Sequence, residues 1–200
     1  MREPFAEFVT KQLEPKTLLI TCGLPGTWKT ETAEEVSKIK GYPIVRTDLV
    51  RLEVLRGEDI FDERVASDMN KRQKVYEEVF RLTDKGLESG EGVIIDATFV
   101  TQSLRRRAAE IAARHGRTLA IMQTHCPQEV ALARIRRRTR ENYESNALTE
   151  QAYFNNKAKW EEVDLDDLKQ RHPGLNILHF LVDTEHDLPQ DWYVIGMQRR

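Results

Sequence analysis

Residues 23–30, which read GLPGTWKT, have the composition and spacing of a phosphate-binding loop. An apolar stretch precedes this loop at residues 17–22, and a helix-favouring stretch follows it at 31–40. A buried strand, a glycine-rich loop and a helix in this order form a concave anion site from backbone N–H groups and the positive helix end. Lys29 is expected to reach the β- and γ-phosphates of a nucleotide, and the Thr30 hydroxyl to ligate Mg²⁺. The predicted nucleotide-binding residues of the loop are Gly23, Leu24, Pro25, Gly26, Thr27, Trp28, Lys29 and Thr30.

Trp28 stands where the pattern G-x-x-x-x-G-K-[ST] has its second glycine. If that position needs a left-handed backbone, a tryptophan there is strained. If the backbone is already helical, the indole can point away and the loop still works. The sequence leaves both possibilities open. An ordinary strand–turn–helix connection is the structural alternative, but it poorly explains the spacing of the glycines, Lys29 and Thr30.

Asp48 and Arg51 form an Asp-x-x-Arg pair after the apolar stretch 43–45. At the opening of a helix, this spacing places both side chains on one face. The Asp48 carboxylate is suited to accept a proton from a hydroxyl that attacks a γ-phosphate. Arg51 is suited to hold a phosphate or carboxylate of the acceptor. The alternative is an aspartate helix cap beside an incidental arginine, and the neighbouring phosphate loop favours the functional interpretation.

Asp96 directly follows the apolar run 93–95. A carboxylate at such a strand end holds Mg²⁺ directly or through water, although an aspartate in a turn is also common there. Thr98 lies two residues further and is expected to hydrogen-bond the acceptor. Arg105, at the start of the next helix, is expected to face the same cleft.

Five arginines crowd the stretch that begins at Pro127 and runs toward residue 141: Arg134, Arg136, Arg137, Arg138 and Arg140. Arg134 and Arg138 are four residues apart and therefore share a helix face. Arginines stabilise the negative charge that spreads over the γ-phosphate oxygens during transfer. A solvated basic face is the preferred interpretation for any single member, whereas the cluster as a whole is interpreted as a lid over the nucleotide.

Strand-like and helix-like stretches alternate along the chain, which predicts an α/β fold whose parallel sheet has helices on both faces. The expected arrangement is one domain, residues 1–200, with its core at 17–184, an N-terminal helix at 4–13 and a lid at about 127–150. The tail after residue 188 is expected to pack on this domain. The predicted strands are 17–22, 43–45, 93–95, 118–124 and 176–182, and the predicted helices are 4–13, 31–40, 49–56, 71–88, 103–115, 127–141 and 149–168. Because ligands bind beyond the carboxyl ends of parallel strands, the loop, Asp48 and Asp96 are expected to meet at one edge.

The net charge of −2 provides no global basic field for gripping long nucleic acid. Nucleic acid therefore stays possible as a partner, but a small molecule is favoured. No apolar run approaches the roughly 18 residues of a membrane span, and residues 1–16 are too polar for a secretory signal. No membrane association and a cytoplasmic location are the expectations.

Together, the matching segments resemble the P-loop kinases of the polynucleotide-kinase and zeta-toxin group, which includes small ATP-binding AAA-type domains of unassigned substrate. They cover roughly residues 17–184 and follow the order of the group. The segments are GLPGTWKT, TDLVR, VYEEVF…GLESGEGVIIDATF, CPQEVALARIRRRTRE and LVDT. The resemblance implies a three-layer P-loop NTPase fold with a five-stranded parallel sheet. It also implies an ATP- and Mg²⁺-dependent kinase that acts on a hydroxyl.

The resemblance also implies roles for individual residues. Asp48 matches the general base of the group and Arg51 its acceptor-orienting arginine, while Asp96 and Thr98 match the strand-end motif. Arg138 matches a lid arginine at the transferring phosphate, which makes Lys29, Asp48 and Arg138 the expected catalytic residues. Arg134 matches a nucleotide-side contact.

Two functions follow from these patterns. The first is a kinase whose acceptor is a small molecule or the 5′-hydroxyl of a nucleic acid. The second is a non-catalytic nucleotide-binding regulator whose loop Trp28 has altered. Retention of Lys29, Thr30, Asp48 and Asp96 favours the kinase.

Overall fold

The computed structural model describes residues 1–62, 64–65, 68–138 and 147–200. Seven strands form one sheet. They are β1 (Glu3–Pro4), β2 (Thr17–Cys22), β3 (Ile44–Arg46), β4 (Val93–Asp96), β5 (Thr118–His125), β6 (Ile177–Asp183) and β7 (Tyr193–Arg199).

Eight α-helices and one short 3₁₀ helix, Pro189–Asp191, accompany the sheet within the described ranges. The α-helices are α1 (Phe5–Gln12), α2 (Lys29–Lys40), α3 (Thr47–Val54), α4 (Met69–Leu87), α5 (Gln102–Arg114), α6 (Gln128–Arg136), α7 (Glu150–Ala158) and α8 (Leu165–Arg171). No helix within the described ranges is long and apolar enough to cross a membrane.

The strand order across the sheet is β1-β7-β6-β5-β2-β4-β3. The five predicted strands are all present and run parallel to one another. The prediction of a five-stranded, wholly parallel sheet was nevertheless wrong, because β7 adds antiparallel to β6 and β1 antiparallel to β7. Without β7, the long strand β6 would leave its N–H and C=O groups unpaired along one edge. The tail therefore extends the sheet instead of only packing on it.

Strand β2 shows how the sheet divides the core, since successive side chains of a strand point to opposite faces. Leu18 and Ile20 are fully buried in the cluster that includes Val75 and Val79 of α4. Leu19 is fully buried in the second cluster, with residues of α1 and α2. Burying such side chains contributes about 2 kcal/mol each. The predicted arrangement of helices on both faces is confirmed.

Two predicted helices differ from the structure. The stretch 149–168 contains two helices, α7 and α8, because Asp164 caps α8 by accepting a hydrogen bond from the N–H of Asp167. Helix α6 ends at Arg136, and Pro127 lies just before it as the N-cap residue. The remainder of the predicted lid at 127–150 includes Arg140 and residues 139–146, which lie outside the described residues.

The carboxyl ends of the central strands bring the predicted polar clusters together. The phosphate loop follows β2, Asp48 lies in the first turn of α3 directly after β3, and Asp96 ends β4. Strands β2 and β3 both pair with β4, which lies between them. This edge of the sheet is therefore where the candidate site forms.

Candidate active site

A cavity of about 630 Å³ opens at this edge of the sheet. Its walls contain most of the residues that the sequence predicted for a site. These are Pro25, Gly26, Trp28, Lys29, Thr30, Asp48, Arg51, Asp96, Thr98 and Arg138. The loop, α3, the end of β4 and the segment just after α6 thus contribute to one cavity.

The phosphate loop is packed tightly against β5 and α6, and glycine is required at two of its positions. A Cβ on Gly23, whose φ is +147°, would lie 2.7 Å from the Thr124 hydroxyl oxygen. A Cβ on Gly26, whose φ is +82°, would lie 2.5 Å from the Ala131 carbonyl oxygen. Thr27 shares a 2.7 Å hydrogen bond with the Thr124 hydroxyl. These contacts hold the loop rigidly above the sheet.

Trp28 occupies the left-handed region, with φ +57° and ψ +34°. Such a backbone costs a non-glycine residue about 1–2 kcal/mol. The indole face lies 4.6 Å from the Arg134 guanidinium, and its Nε1–H donates to Asp187 at 3.3 Å. A cation–π contact of this kind contributes about 0.5–2 kcal/mol. Of the two possibilities that the sequence left open, the strained one is correct, and the contacts of the indole offset the strain.

Arg134 lies beside the loop and does not line the cavity, although it was predicted as a nucleotide contact. Its guanidinium donates to the backbone carbonyls of Gly26, Thr184 and Glu185 and to the Asp187 carboxylate. The side chain is only 5% exposed. These N–H groups already have protein acceptors, so Arg134 positions the loop. The prediction that Arg134 contacts the nucleotide directly is therefore corrected.

Lys29 is the first residue of α2 and lines the cavity. Its Nζ donates to the carbonyl oxygen of Leu24 at 2.7 Å. Burial lowers the pKa of Lys29 to about 8, while the nearby Asp96 carboxylate acts in the opposite direction. The ammonium group thus lies inside the loop, where water stabilises its positive charge less than it would at the protein surface.

Thr30 and Asp96 form an oxygen pair at the cavity floor. The Thr30 hydroxyl donates to Asp96 Oδ2 at 2.7 Å, and Arg46 Nε lies 3.8 Å from the same oxygen. A hydroxyl and one carboxylate are oxygen ligands that suit Mg²⁺, which takes its remaining ligands from water and phosphate. Among the described residues, no group of three or more Asp, Glu, His or Cys side chains is placed to hold a metal ion by itself. The residues present therefore fit a magnesium ion that is shared with a bound phosphate.

The cavity is also lined by Asp48, Arg51, Thr98 and Tyr76. Burial raises the pKa of the Tyr76 hydroxyl, whereas the Thr98 hydroxyl and the guanidinium groups of Arg72 and Arg51 oppose this effect. A hydroxyl compound bound here would meet a carboxylate, hydroxyls and cations. Arg138, which lies two residues after the end of α6, donates to the carbonyl of Ala147 at 3.1 Å.

Arg105 does not line the cavity, so the expectation that it faces the acceptor was wrong. Its side chain is fully buried between α5 and the segment before α8. The guanidinium donates to the carbonyls of Glu161 and Glu162 at 2.7 and 3.0 Å, and its carbon lies 5.2 Å from the Trp160 ring centre. A buried arginine with carbonyl acceptors is a structural link, because its charge is satisfied inside the protein.

Several cavity residues were not predicted from the sequence. Glu31 follows the loop, and burial raises the pKa of its carboxyl group. Arg72 and Tyr76 lie four residues apart on α4, a spacing that places both on one face and was the available signal. Phe61 has no periodic signal at all. Helix α7 and its flanks add Leu148, Thr149, Gln151, Ala152, Asn155, Asn156 and Lys159.

A central parallel sheet, a glycine-rich loop before α2, and Asp96 at a neighbouring strand end define a protein of the P-loop NTPase-like class. Residues 18–163 match a family described as an AAA domain. Because this match covers most of the chain, the protein belongs to that family. This family match confirms the resemblance to P-loop kinases with unassigned substrates.

Solved structures of kinases share the fold at low sequence identity. A gluconokinase from Sinorhizobium meliloti 1021 is 17% identical, with a TM-score of 0.57 over 86% of this chain and 85% of that one. A sugar kinase from Janibacter sp. HTCC2649 is 16% identical, with a TM-score of 0.63 over 88% of both chains. Chaetomium thermophilum Kti12 in complex with ADP-AlF3 is 18% identical, with a TM-score of 0.57 over 74% of this chain and 81% of that one. A search of curated proteins gave no match.

Proposed function

We propose that this protein is a kinase that transfers the γ-phosphate of a magnesium-bound nucleoside triphosphate, ATP in the first instance, to a hydroxyl group. The observation that carries the proposal is the meeting of three groups in one cavity. These groups are the loop lysine Lys29, the Thr30–Asp96 oxygen pair and the Asp48 carboxylate. Each group corresponds to one requirement of phosphoryl transfer, namely phosphate binding, metal binding and activation of the acceptor.

The donor side is built from the loop and the start of α2. The first N–H groups of α2, like those of any helix, have no intrahelical acceptor. Because Trp28 provides no side-chain cap for them, they can bind a phosphate. Lys29 and Arg138 supply positive charge in the same region. Thr30 and Asp96 would hold Mg²⁺, which when bound neutralises charge on the phosphate oxygens.

On the acceptor side, Asp48 accepts the proton of the attacking hydroxyl and Thr98 helps to orient it. Removal of that proton as the oxygen attacks is general base catalysis. The gluconokinase and sugar kinase neighbours are named for sugar acceptors, and this supports a small polyol or sugar derivative over a nucleic acid. The cavity volume of about 630 Å³ lies in the range of small-molecule sites and suits the same class of acceptor.

Incubation with γ-labelled ATP, Mg²⁺ and a panel of sugars, sugar acids, nucleosides and an oligonucleotide tests this proposal. We expect label transfer to at least one hydroxyl compound, together with slow transfer to water that the Lys29→Ala variant lacks. ATP binding with neither kind of transfer would contradict the proposal and support the regulatory alternative.

The affinity for the nucleotide is expected to fall as the pH rises through about 8. The triphosphate attracts the protonated form of Lys29, and burial places the pKa of the free lysine at about 8. Affinity should be nearly constant below that pH and decrease by up to about tenfold per unit above it. Calorimetry at pH 7, 8 and 9 measures the effect, with Lys29→Ala as the pH-independent control. Equal affinity at pH 7 and 9 would contradict this assignment.

Trp28 is expected to report nucleotide binding through its fluorescence. It lines the cavity and precedes Lys29, so a bound triphosphate changes the field and solvation around the indole. We expect Mg-ATP to change tryptophan fluorescence and Trp28→Gly to abolish most of the change. We also expect Trp28→Gly to keep or improve ATP affinity, because glycine adopts the left-handed backbone without strain.

Trp160→Phe is the matched control for this fluorescence titration. Trp160 packs on the buried Arg105, outside the cavity, so its removal should preserve the nucleotide-induced change. Calorimetry gives the affinity independently. A large loss of ATP binding in Trp28→Gly would show that the contacts of the indole with Arg134 and Asp187 are required for a working loop.

A further inference from the structure

Two arginines, Arg51 on α3 and Arg72 on α4, line the acceptor side of the cavity. We propose that they form an anion-binding subsite beside Asp48, so that the acceptor carries a phosphomonoester or carboxylate group near the hydroxyl that is phosphorylated. This inference rests on the proposed function and extends it to the chemical class of the acceptor. Arg72 contributes the part of the subsite for which the sequence gave no role.

Position is the first argument for the subsite. Arg51, Arg72, Asp48 and Tyr76 all line the cavity. The positive charges of Arg51 and Arg72 oppose the rise in the pKa of the Tyr76 hydroxyl that burial causes. Arg72 and Tyr76 are separated by four residues on α4 and therefore lie on one helix face. Two cations from different helices thus line the same cavity as the Tyr76 hydroxyl.

The second argument is that neither guanidinium has a partner among the residues that the structure describes. Within the described part of the chain, no side-chain hydrogen bond or ion pair is present for Arg51 or Arg72, and the Nε of Arg51 is buried without an acceptor. A buried donor that lacks an acceptor is unfavourable unless a ligand supplies one. Such a group in a binding cavity is therefore aimed at a ligand.

Other arginines with buried guanidinium nitrogens make the contrast clear. Arg105 and Arg117 also have a buried Nε without a partner, but their terminal nitrogens donate to backbone carbonyls. Arg134 donates to three carbonyls and the Asp187 carboxylate. These three arginines thus find protein acceptors, whereas Arg51 and Arg72 find none in the described part of the chain.

The geometry of an arginine matches an oxyanion, because its planar group presents paired N–H donors to two oxygens. Two arginines together balance the double negative charge of a phosphomonoester. They also exceed the single negative charge of a carboxylate. The negative charge of Asp48 disfavours an anion next to this carboxylate. The hydroxyl of the acceptor therefore lies beside Asp48, and the anionic group of the acceptor lies beside the two arginines. This separation defines the orientation of the acceptor.

The subsite is tested by NMR of the Nε–Hε groups in ¹⁵N-labelled protein whose nucleotide site is filled with Mg²⁺ and a non-hydrolysable ATP analogue. The probes are glycerol 3-phosphate, glycerate and glycerol, each compared with sodium chloride at equal ionic strength. We expect the signals of Arg51 and Arg72 to move together with one dissociation constant for at least one anionic probe, and not for glycerol. Whichever anion binds more tightly identifies the acceptor as phosphorylated or carboxylated.

Arg72→Gln and Arg51→Gln are each expected to weaken binding of the anionic probe by about tenfold or more, since hydrogen bonds to charged groups are lost. Arg56→Gln removes the same charge from an exposed residue outside the cavity and serves as the matched control. Signals that respond to both anions only as they do to sodium chloride, or unchanged binding in Arg72→Gln, would overturn the inference.

Failure of the proposed function gives a different result in the same samples. Binding of the ATP analogue is recorded before the probes are added, and the anion titration needs no phosphoryl transfer. Absence of analogue binding contradicts the kinase proposal, whereas normal analogue binding without an arginine response contradicts only the anionic acceptor.

Discussion

Replacement of Lys29 by alanine is expected to reduce phosphoryl transfer by on the order of 10²-fold or more. Lys29 lies at the start of α2 with its ammonium group inside the loop, 2.7 Å from the Leu24 carbonyl. Negative charge on the β- and γ-phosphate oxygens develops in the same region during transfer. Because burial already lowers the pKa of this lysine, the charge is poorly screened and acts strongly on a bound phosphate. Turnover at saturating Mg-ATP is the measurement.

Lys38→Ala is the matched control for this variant. Lys38 belongs to the same helix but is exposed and paired with Glu35, so its removal should leave transfer unchanged. A thermal unfolding curve establishes that Lys29→Ala is folded. Near-wild-type turnover in folded Lys29→Ala would reject Lys29 as the phosphate-binding lysine.

Asp48→Asn is expected to leave ATP affinity nearly intact and to cut transfer to the acceptor, by about 10²–10⁴-fold for the loss of a general base. Asp48 lies in the first turn of α3, on the wall that carries Arg51 and Thr98. The amide that replaces the carboxylate preserves the shape of the side chain but cannot take a proton. Calorimetry with Mg-ATP and a transfer assay, run on the same preparation, separate the two effects.

Glu53→Gln provides the control on the same helix, because Glu53 is exposed and outside the cavity. It should retain both nucleotide affinity and transfer. If ATP binding collapses together with turnover in Asp48→Asn, the carboxylate has a structural or metal-binding role and another group must act as the base.

The parallel core of the fold was predictable because its strands are buried on both faces. Continuous apolar stretches such as Leu18–Ile20 have few alternatives to a central strand. Strand β7 was not predicted, because its pairing depends on the open edge of β6, which no local pattern of the tail reveals. The break between α7 and α8 was also not predicted. It depends on the cap that Asp164 forms for α8 and on the hydrogen bond from Gln102 of α5 to the Asp164 carbonyl.

In the candidate site, the structure brings the predicted residues at strand ends to one cavity, whereas two predicted arginines on helices lie outside it. The loop, Asp48 and Asp96 follow parallel strands, and the carboxyl ends of such strands necessarily share one edge of the sheet. Arg105 and Arg134 sit on helices, where the direction of a side chain depends on how the helix is rotated against its neighbours. Both arginines were predicted to meet ligand, and both bind backbone carbonyls instead.

The sequence by itself determined the parallel core, the phosphate loop and the positions of Lys29, Thr30, Asp48 and Asp96, because these depend on local chain order and burial. Only the tertiary structure decided the backbone of Trp28 and the cavity wall that contains Arg51 and Arg72. The left-handed conformation at Trp28 is tolerated because Arg134 and Asp187 contact the indole. Arg51 and Arg72 are 21 residues apart in sequence and meet only because α3 and α4 pack against each other. Contacts between distant segments set such features, since their free energy exists only in the folded chain.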